Sequence, residues 1–194
     1  MAATRGKARL FTRRGLLVLA ACLLSGCAQY RVSRPPADSG QERQVRLAVP
    51  FFPDDTDQCG PSVLASVLGY WGKPEKPEAL RGEIYRPRLK GSLTVDLLLA
   101  AESRGLAAEI INAGLDRVRT ELDAGRPLIA FVDAGYRFYP SPHYLVITGY
   151  DDRRQCVYAH SGARRDQRIS YAKLKKEWKK TEEWALSIQP RRPL

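Results

Sequence analysis

In the stretch Asp57-Gln-Cys-Gly-Pro-Ser-Val-Leu-Ala-Ser-Val-Leu68 a proline follows a cysteine by two residues and opens an apolar run. This pairing constrains the local fold more than any other stretch of the chain. Proline fits the first turn of a helix, where its missing N–H has no partner to lose, and is excluded from a helix interior. Val63, Leu64, Val67 and Leu68 then recur at helical spacing. The segment therefore predicts a helix that begins near Cys59 and buries its apolar face. Cys59 falls where unpaired backbone N–H groups and the helix dipole favour negative charge. The expectation is a thiol of lowered pKa, suited to act as a nucleophile. The plain alternative is a small buried cysteine.

The remainder reads as one α+β domain. Val45 to Phe52 is a β-prone stretch that leads into the acidic, turn-forming loop of residues 53–58. Helices are expected over Pro77 to Tyr85, over Thr94 to Arg104 with Gly105 as its cap, and over Leu115 to Ala124. Strands are expected over Ala108 to Asn112 and Pro127 to Asp133. The last third reads as a meander of strands at His143 to Tyr150, Gln155 to His160, Arg168 to Ser170 and Trp184 to Ile188. A basic helix over Tyr171 to Lys180 interrupts it. Helices come first and an antiparallel sheet second. There is no internal repeat and no sign of a second globular domain.

The first residues read as a targeting segment. Arg5, Lys7, Arg9, Arg13 and Arg14 precede an apolar run of ten residues, Gly15 to Leu24, against the roughly 20 needed to span a bilayer. The run ends in Leu24-Ser25-Gly26-Cys27, which resembles the lipobox of bacterial lipoproteins. The resemblance implies a lipoprotein signal peptide over residues 1–26, cleavage before Cys27, and a membrane anchor through lipid on the Cys27 sulfur. A plain secretory peptide or an uncleaved anchor is the alternative. Ala28, rather than Asp, follows Cys27. By analogy with Gram-negative lipoproteins this implies the cell envelope, at the periplasmic face of the outer membrane. Residues 27–46, with Pro35-Pro36, Ser39 and Gly40, read as a flexible tether to a domain over residues 47–190. Loss of the signal takes the formal charge from +11 to +6. The densest part of what remains, Lys173 to Lys180, lacks the arginine-and-aromatic pattern of a nucleic-acid reader. No nucleic-acid partner is expected.

With Cys22 in the signal and Cys27 lipidated, Cys59 and Cys156 remain. A disulfide between these two in an oxidising envelope is the reading that competes with the nucleophile. A catalytic cysteine needs a base, and histidine suits that task near neutral pH. The chain has two histidines. His143 opens a strand after the loop Gly135-Tyr-Arg-Phe-Tyr-Pro-Ser-Pro142, and His160 ends the next one. Tyr136, Phe138, Tyr139 and Tyr144 are candidates to wall a cleft beside His143, or simply to pack their own loop.

Gln58-Cys-Gly-Pro-Ser62 and His143-Tyr-Leu-Val-Ile-Thr-Gly-Tyr-Asp151 together resemble the cysteine and histidine boxes of the bacteriocin-processing, C39-like cysteine peptidases. The likeness spans about Leu47 to Gln189. It is nearest to the stand-alone lipoprotein members, which share Val49-Pro-Phe-Phe-Pro53, Gly91-Ser-Leu93 and Tyr139-Pro140. It implies a papain-like fold, with a helical half carrying the nucleophile packed on a C-terminal antiparallel sheet. It also implies Cys59 as nucleophile, His143 as base, and a peptide or protein substrate. Two positions depart from the family. Where it has a glutamine that helps hold the oxyanion, this chain has Asp54, and an ionised carboxylate donates no hydrogen bond. Gln58 is the candidate substitute. Where the family orients its histidine with Asp or Asn, this chain has Ser161. Asp151 and Asp152 read as surface charge at a turn.

Other readings remain at this point. A metal site of Cys59, His143, Cys156 and His160 lacks the paired short spacings of structural zinc sites, so neither metal nor cofactor is expected. An NlpC-type cell-wall peptidase carries Asp-Cys-Ser where this chain reads Gln-Cys-Gly-Pro. A lipoprotein with a weak or inactive peptidase cleft that binds an extended peptide or partner is the non-enzymatic alternative.

Overall fold

A computed structural model describes residues 43–54, 56 and 58–191. The signal segment, Cys27 and most of the expected tether lie outside the described residues. Five α-helices and nine strands are present among those described, and the α+β class is correct.

Helix α1, Cys59–Tyr70, begins at the cysteine and carries Pro61 in its first turn. Every residue from Gly60 to Leu68 is buried, not only the apolar face that its spacing suggested. The buried Ser66 hydroxyl is accommodated because its Oγ donates to Ser62 O at 2.8 Å, a bond that stays inside the helix. The far end is fixed from outside. Tyr70 Oη donates to Gly125 O and Trp71 Nε1 to Ile188 O, each at 2.8 Å.

Helices α2, Pro77–Ile84, and α3, Thr94–Ser103, follow, and α1 to α3 pack on one face of the main sheet. Its strands are β4, Leu106–Asn112; β5, Leu128–Asp133; β6, Pro142–Asp151; β7, Cys156–Ser161; β8, Arg164–Ser170; and β9, Trp184–Pro190. They run β4-β9-β5-β6-β7-β8 with every pairing antiparallel. The other face is covered by α4, Leu115–Asp123, and α5, Tyr171–Trp178. Side chains alternate between the two cores as strand geometry requires. Ile129, Val146 and Leu186 join the α1 side, while Leu128, Ala130, Leu145, Ile147 and Ala185 join the side of Leu122 and Trp178.

Several expected elements differ in extent. Of the stretch Val45 to Phe52, the strand β1 takes Gln44–Arg46, within the residues read as tether, and pairs with β6. It lies so close that a Cβ on Gly149 would come within 2.3 Å of Val45 O, so a side chain there would push β1 off the sheet. Strand β8 starts at Arg164, four residues earlier than expected, because pairing with β7 overrides its polar sequence. The basic helix stops at Trp178 and passes into a 3-10 turn over Lys179–Thr181. A small hairpin of β2, Tyr85–Arg86, and β3, Gly91–Ser92, was not legible.

That hairpin bears on the helix start. A Cβ on Gly60 would lie 2.6 Å from Ser92 Cβ and 2.5 Å from its Oγ. Gly60→Ala should cost about 1–3 kcal/mol through this overpacking. Adding Ser92→Gly should restore most of the loss in a denaturant-unfolding comparison. Additive losses in the double variant would show that the two residues do not meet.

Candidate active site

Cys59 and His143 line one cleft of about 440 Å³, walled also by Thr56, Phe131, Ser141, Tyr144 and the strap Leu89 to Leu93. Each residue is placed by a different element. Cys59 heads α1, so the apolar run behind it fixes the sulfur at a helix N-terminus. His143 is the second residue of β6 and pairs with Val132 of β5. Tyr144 fastens the strap to the sheet. Its hydroxyl donates to Ser92 O at 3.2 Å and accepts from Thr94 Oγ1 at 3.0 Å.

Ser161 ends β7, and its Oγ lies 3.1 Å from His143 Nε2. The turn beyond it uses Gly162 at φ +58°, a conformation suited to glycine. Gly162 O accepts the Asp54 N–H at 3.1 Å. One bond thus ties the loop before Cys59 to the turn that follows Ser161. Asp54 is 9 % exposed. Its Oδ1 accepts from Thr56 N–H at 3.0 Å and from Thr56 Oγ1 at 2.7 Å.

Gln58 is the N-cap residue of α1, and its side chain makes no capping hydrogen bond. It lines the neighbouring groove of Phe52, Pro53, Lys76 and Glu78 rather than the cleft shared by Cys59 and His143. His160 is buried and held at both ring nitrogens. Nε2–H donates to Val49 O at 3.0 Å, and Nδ1 accepts the Asp166 N–H at 3.1 Å. That bonding fixes its tautomer and leaves no ring nitrogen for a metal. Cys59 and Cys156 are both free thiols. Cys156 starts β7 and His160 and Ser161 end it, a separation of about 13 Å along a strand, which keeps Cys156 away from this site.

Tyr144 lines the cleft. Tyr136, Phe138 and Tyr139 instead stand out on the β5–β6 loop, with Phe138 89 % and Tyr139 82 % exposed. Asp151 and Asp152 close the far end of β6 and are not free surface charges. Asp151 is buried and accepts the Arg154 N–H at 2.9 Å, while Asp152 accepts from Arg119 Nη2 at 2.7 Å and Tyr171 Oη at 2.8 Å.

The electrostatics correct one expectation. The Cys59 thiol is pushed up from its ordinary value, not down. Burial dominates. The backbone N–H groups of Tyr144, Gly60 and Cys59 favour the thiolate but do not outweigh it, and the Asp54 carboxylate opposes it further. Burial also pushes His143 down, with Asp54 pulling weakly the other way. Both groups therefore rest neutral near pH 7. The helix terminus was read correctly; the dehydration of the sulfur was not visible in sequence.

The sequence model of the Peptidase_C39 like family matches residues 42–186. The fold is similar to the peptidase domain of Streptococcus ComA, a bi-functional ABC transporter involved in a quorum sensing pathway. The identity is 26% and the TM-score 0.59, over 76% of this chain and 99% of that one. It is also similar to a double glycine motif protease from an AMS/PCAT transporter, solved in complex with the leader peptide (24% identity, TM-score 0.61, 78% of this chain and 100% of that one). A putative C39-like peptidase from Bacillus anthracis has 17% identity and a TM-score of 0.63, with 78% and 100% covered. The last two show the fold. None of the curated proteins matches the chain.

A thiol raised above 9.0 should react with iodoacetamide at a rate that climbs with pH through and beyond that value, because the thiolate is the reacting form. The Cys59 peptide of the full-length chain can be followed by mass spectrometry. A rate plateau already reached below pH 7 would contradict the burial account.

Proposed function

This chain belongs to the Peptidase_C39 like family, and from that we propose that it hydrolyses peptide bonds through a thioester on Cys59. The observation that carries the reading is the His143 Nε2–Ser161 Oγ contact of 3.1 Å on a histidine that shares a cleft with Cys59. With Nε2–H donating to Ser161, Nδ1 is the ring nitrogen that takes the Cys59 proton. The thiolate then attacks the substrate carbonyl carbon, and the carbonyl oxygen becomes the oxyanion. The Cys59 backbone N–H, which has no intrahelical partner at the helix start, is a donor for that oxygen. Collapse expels the amine, which takes its proton from the His143 imidazolium and leaves an acyl thioester. Water, deprotonated by His143, hydrolyses the thioester and returns the free thiol.

Ser161 replaces a charged or amide partner with a hydroxyl. It fixes the ring but gives the imidazolium no countercharge, which supports a slower enzyme than a full triad. The substrate is an extended peptide or protein segment, a reading supported by the leader peptide bound to the AMS/PCAT transporter protease. Lipid on Cys27, expected from the lipobox-like sequence, would hold the domain at the envelope membrane and restrict it to substrates there. A lipoprotein that binds peptides without cutting them is the competing outcome of the same experiment.

In a peptide-library assay Cys59→Ala should abolish hydrolysis, and His143→Ala should lower kcat/KM by about 10²-fold or more, the usual weight of a general base. Ser161→Ala should lose less, and Ser161→Asn should keep or gain activity. Equal product from the wild type, Cys59→Ala and His143→Ala would remove the enzyme reading; binding without cleavage would leave the peptide-binding one.

The pH profile carries a sign. His143 must be neutral to act as base, and its pKa lies below 6.5. Activity should therefore persist as pH falls through 6.5 and decline only below it. A decline centred above 6.5 would contradict the role of a buried His143 as base.

A further inference from the structure

Buried side-chain polar atoms without a hydrogen-bond partner are rare, and each calls for a reason. Among the described residues there are two, Asp54 Oδ2 and Ser92 Oγ, and both border the start of α1. Ser92 packs against Gly60. Asp54 lines an internal recess of about 10 Å³ together with Cys59, Ser62, Tyr144, His160 and Ser161. That space holds about one water; Asp54 also lines the open groove of Phe52, Gln58 and Lys76, but its Oδ2 is itself shut off from solvent.

Asp54 is also held in place. Its N–H is bonded to Gly162 O, and Thr56 occupies Oδ1 through both its N–H and its hydroxyl. The second oxygen is thus buried and without a hydrogen-bond partner, and no lysine or arginine of the described residues pairs with it. In water a charge in this place would matter little. Inside a protein, where the dielectric screening is weaker, it acts strongly on its neighbours. The neighbour here is a sulfur that must become negative before it can attack, followed by an oxyanion. Catalytic sites ordinarily meet such charge with donors.

The geometry points to Asp54 as a built-in brake on Cys59, a buried carboxylate that disfavours the thiolate and keeps the nucleophile protonated. Asp54 acts through Cys59 and touches no substrate, so it is a positioning residue rather than a catalytic one. Among the side chains around Cys59, Asp54 is the one whose charge bears on the thiol, while Lys90 of the strap lines the same cleft and is exposed to solvent. From β6 come His143, pushed down by burial, and Tyr144, pushed up to about 12. From β7 comes His160, whose Nδ1 accepts an N–H. The field of Asp54 raises the thiol and favours the imidazolium of His143, so it opposes the first charge of the reaction while stabilising the second.

The inference rests on Cys59 being the reactive thiol of the proposed peptidase, but its test needs no substrate. Alkylation of Cys59 by iodoacetamide is followed by mass spectrometry against pH in the full-length wild type, Asp54→Asn and Asp54→Glu. Asp54→Asn keeps the size and the Thr56 contacts and removes the charge. It should move the midpoint to lower pH and raise the rate at pH 7 about three- to tenfold, the change that half to one pH unit of thiol ionisation produces. Asp54→Glu, which keeps the charge, should stay near the wild type. A midpoint in Asp54→Asn that is unmoved or higher overturns the brake.

A second measurement holds even if Asp54→Asn fails to fold. Wild-type Cys59 should react faster with a cationic methanethiosulfonate than with an anionic one, although the whole chain carries a formal +11. Equal rates, or a faster anionic reagent, overturn the proposal. Peptide hydrolysis measured alongside separates the two readings. A faster thiol that cuts no peptide keeps the brake and removes the peptidase, and cleavage with an unmoved thiol does the reverse.

Discussion

Dehydration of the Cys59–His143 pair is the constraint on which the rest of the site depends. Helix α1 is buried from Gly60 to Leu68 between the sheet and its neighbouring helices, and that burial places a thiol at the cleft. The same burial removes the water that would stabilise a thiolate or an imidazolium. The helix N-terminus and the N–H of Tyr144 return only part of that stabilisation. The pair therefore rests neutral, and charge separation is deferred to the moment of reaction. A substrate that fills the cleft brings its own carbonyl to accept the developing charge, so a neutral resting pair is compatible with hydrolysis at a moderate rate.

The surroundings are tied together by few bonds, each with a distinct task. Asp54 N–H to Gly162 O links the loop before the cysteine to the turn after Ser161. Tyr144 ties the Ser92–Thr94 strap to β6. His160, at the strand end beside Ser161, is locked by Val49 and Asp166 and stiffens the wall behind Cys59. The atypical residues fall inside this frame rather than outside it. Ser161 reaches the histidine as a hydroxyl, and Asp54 is clamped by Thr56 with one oxygen left over. Cys59 and His143 share one cleft, while Asp54 and Ser161 alter the electrostatics beside it.

Much of this was legible in the sequence. Pro61 and the apolar run set the start of α1 within a residue, because the proline rule and helical spacing are local. The strands that carry His143 and His160 were legible for the same reason. Quantities set by tertiary contact were not. The raised thiol depends on how much protein covers Cys59. The burial of Asp151 at the end of β6 depends on its packing. The β2–β3 hairpin, spelled Tyr85-Arg-Pro-Arg-Leu-Lys-Gly-Ser92, lacks any alternation and forms around Lys90 in a left-handed conformation at φ 49°. Gln58 illustrates a further limit. As a glutamine near Cys59 it was the candidate substitute at the oxyanion, yet it lines the neighbouring groove.

The central claim is that hydrolysis passes through a covalent acyl group on Cys59. Acid quenching during turnover of a cleaved peptide, followed by intact-mass and peptide-level analysis, tests it directly, because thioesters survive acid. The account predicts a mass increase equal to the N-terminal product fragment less water, located on the peptide that contains Cys59 and absent from Cys59→Ala. Steady product formation with no adduct on Cys59, or with the adduct on another residue, would contradict it.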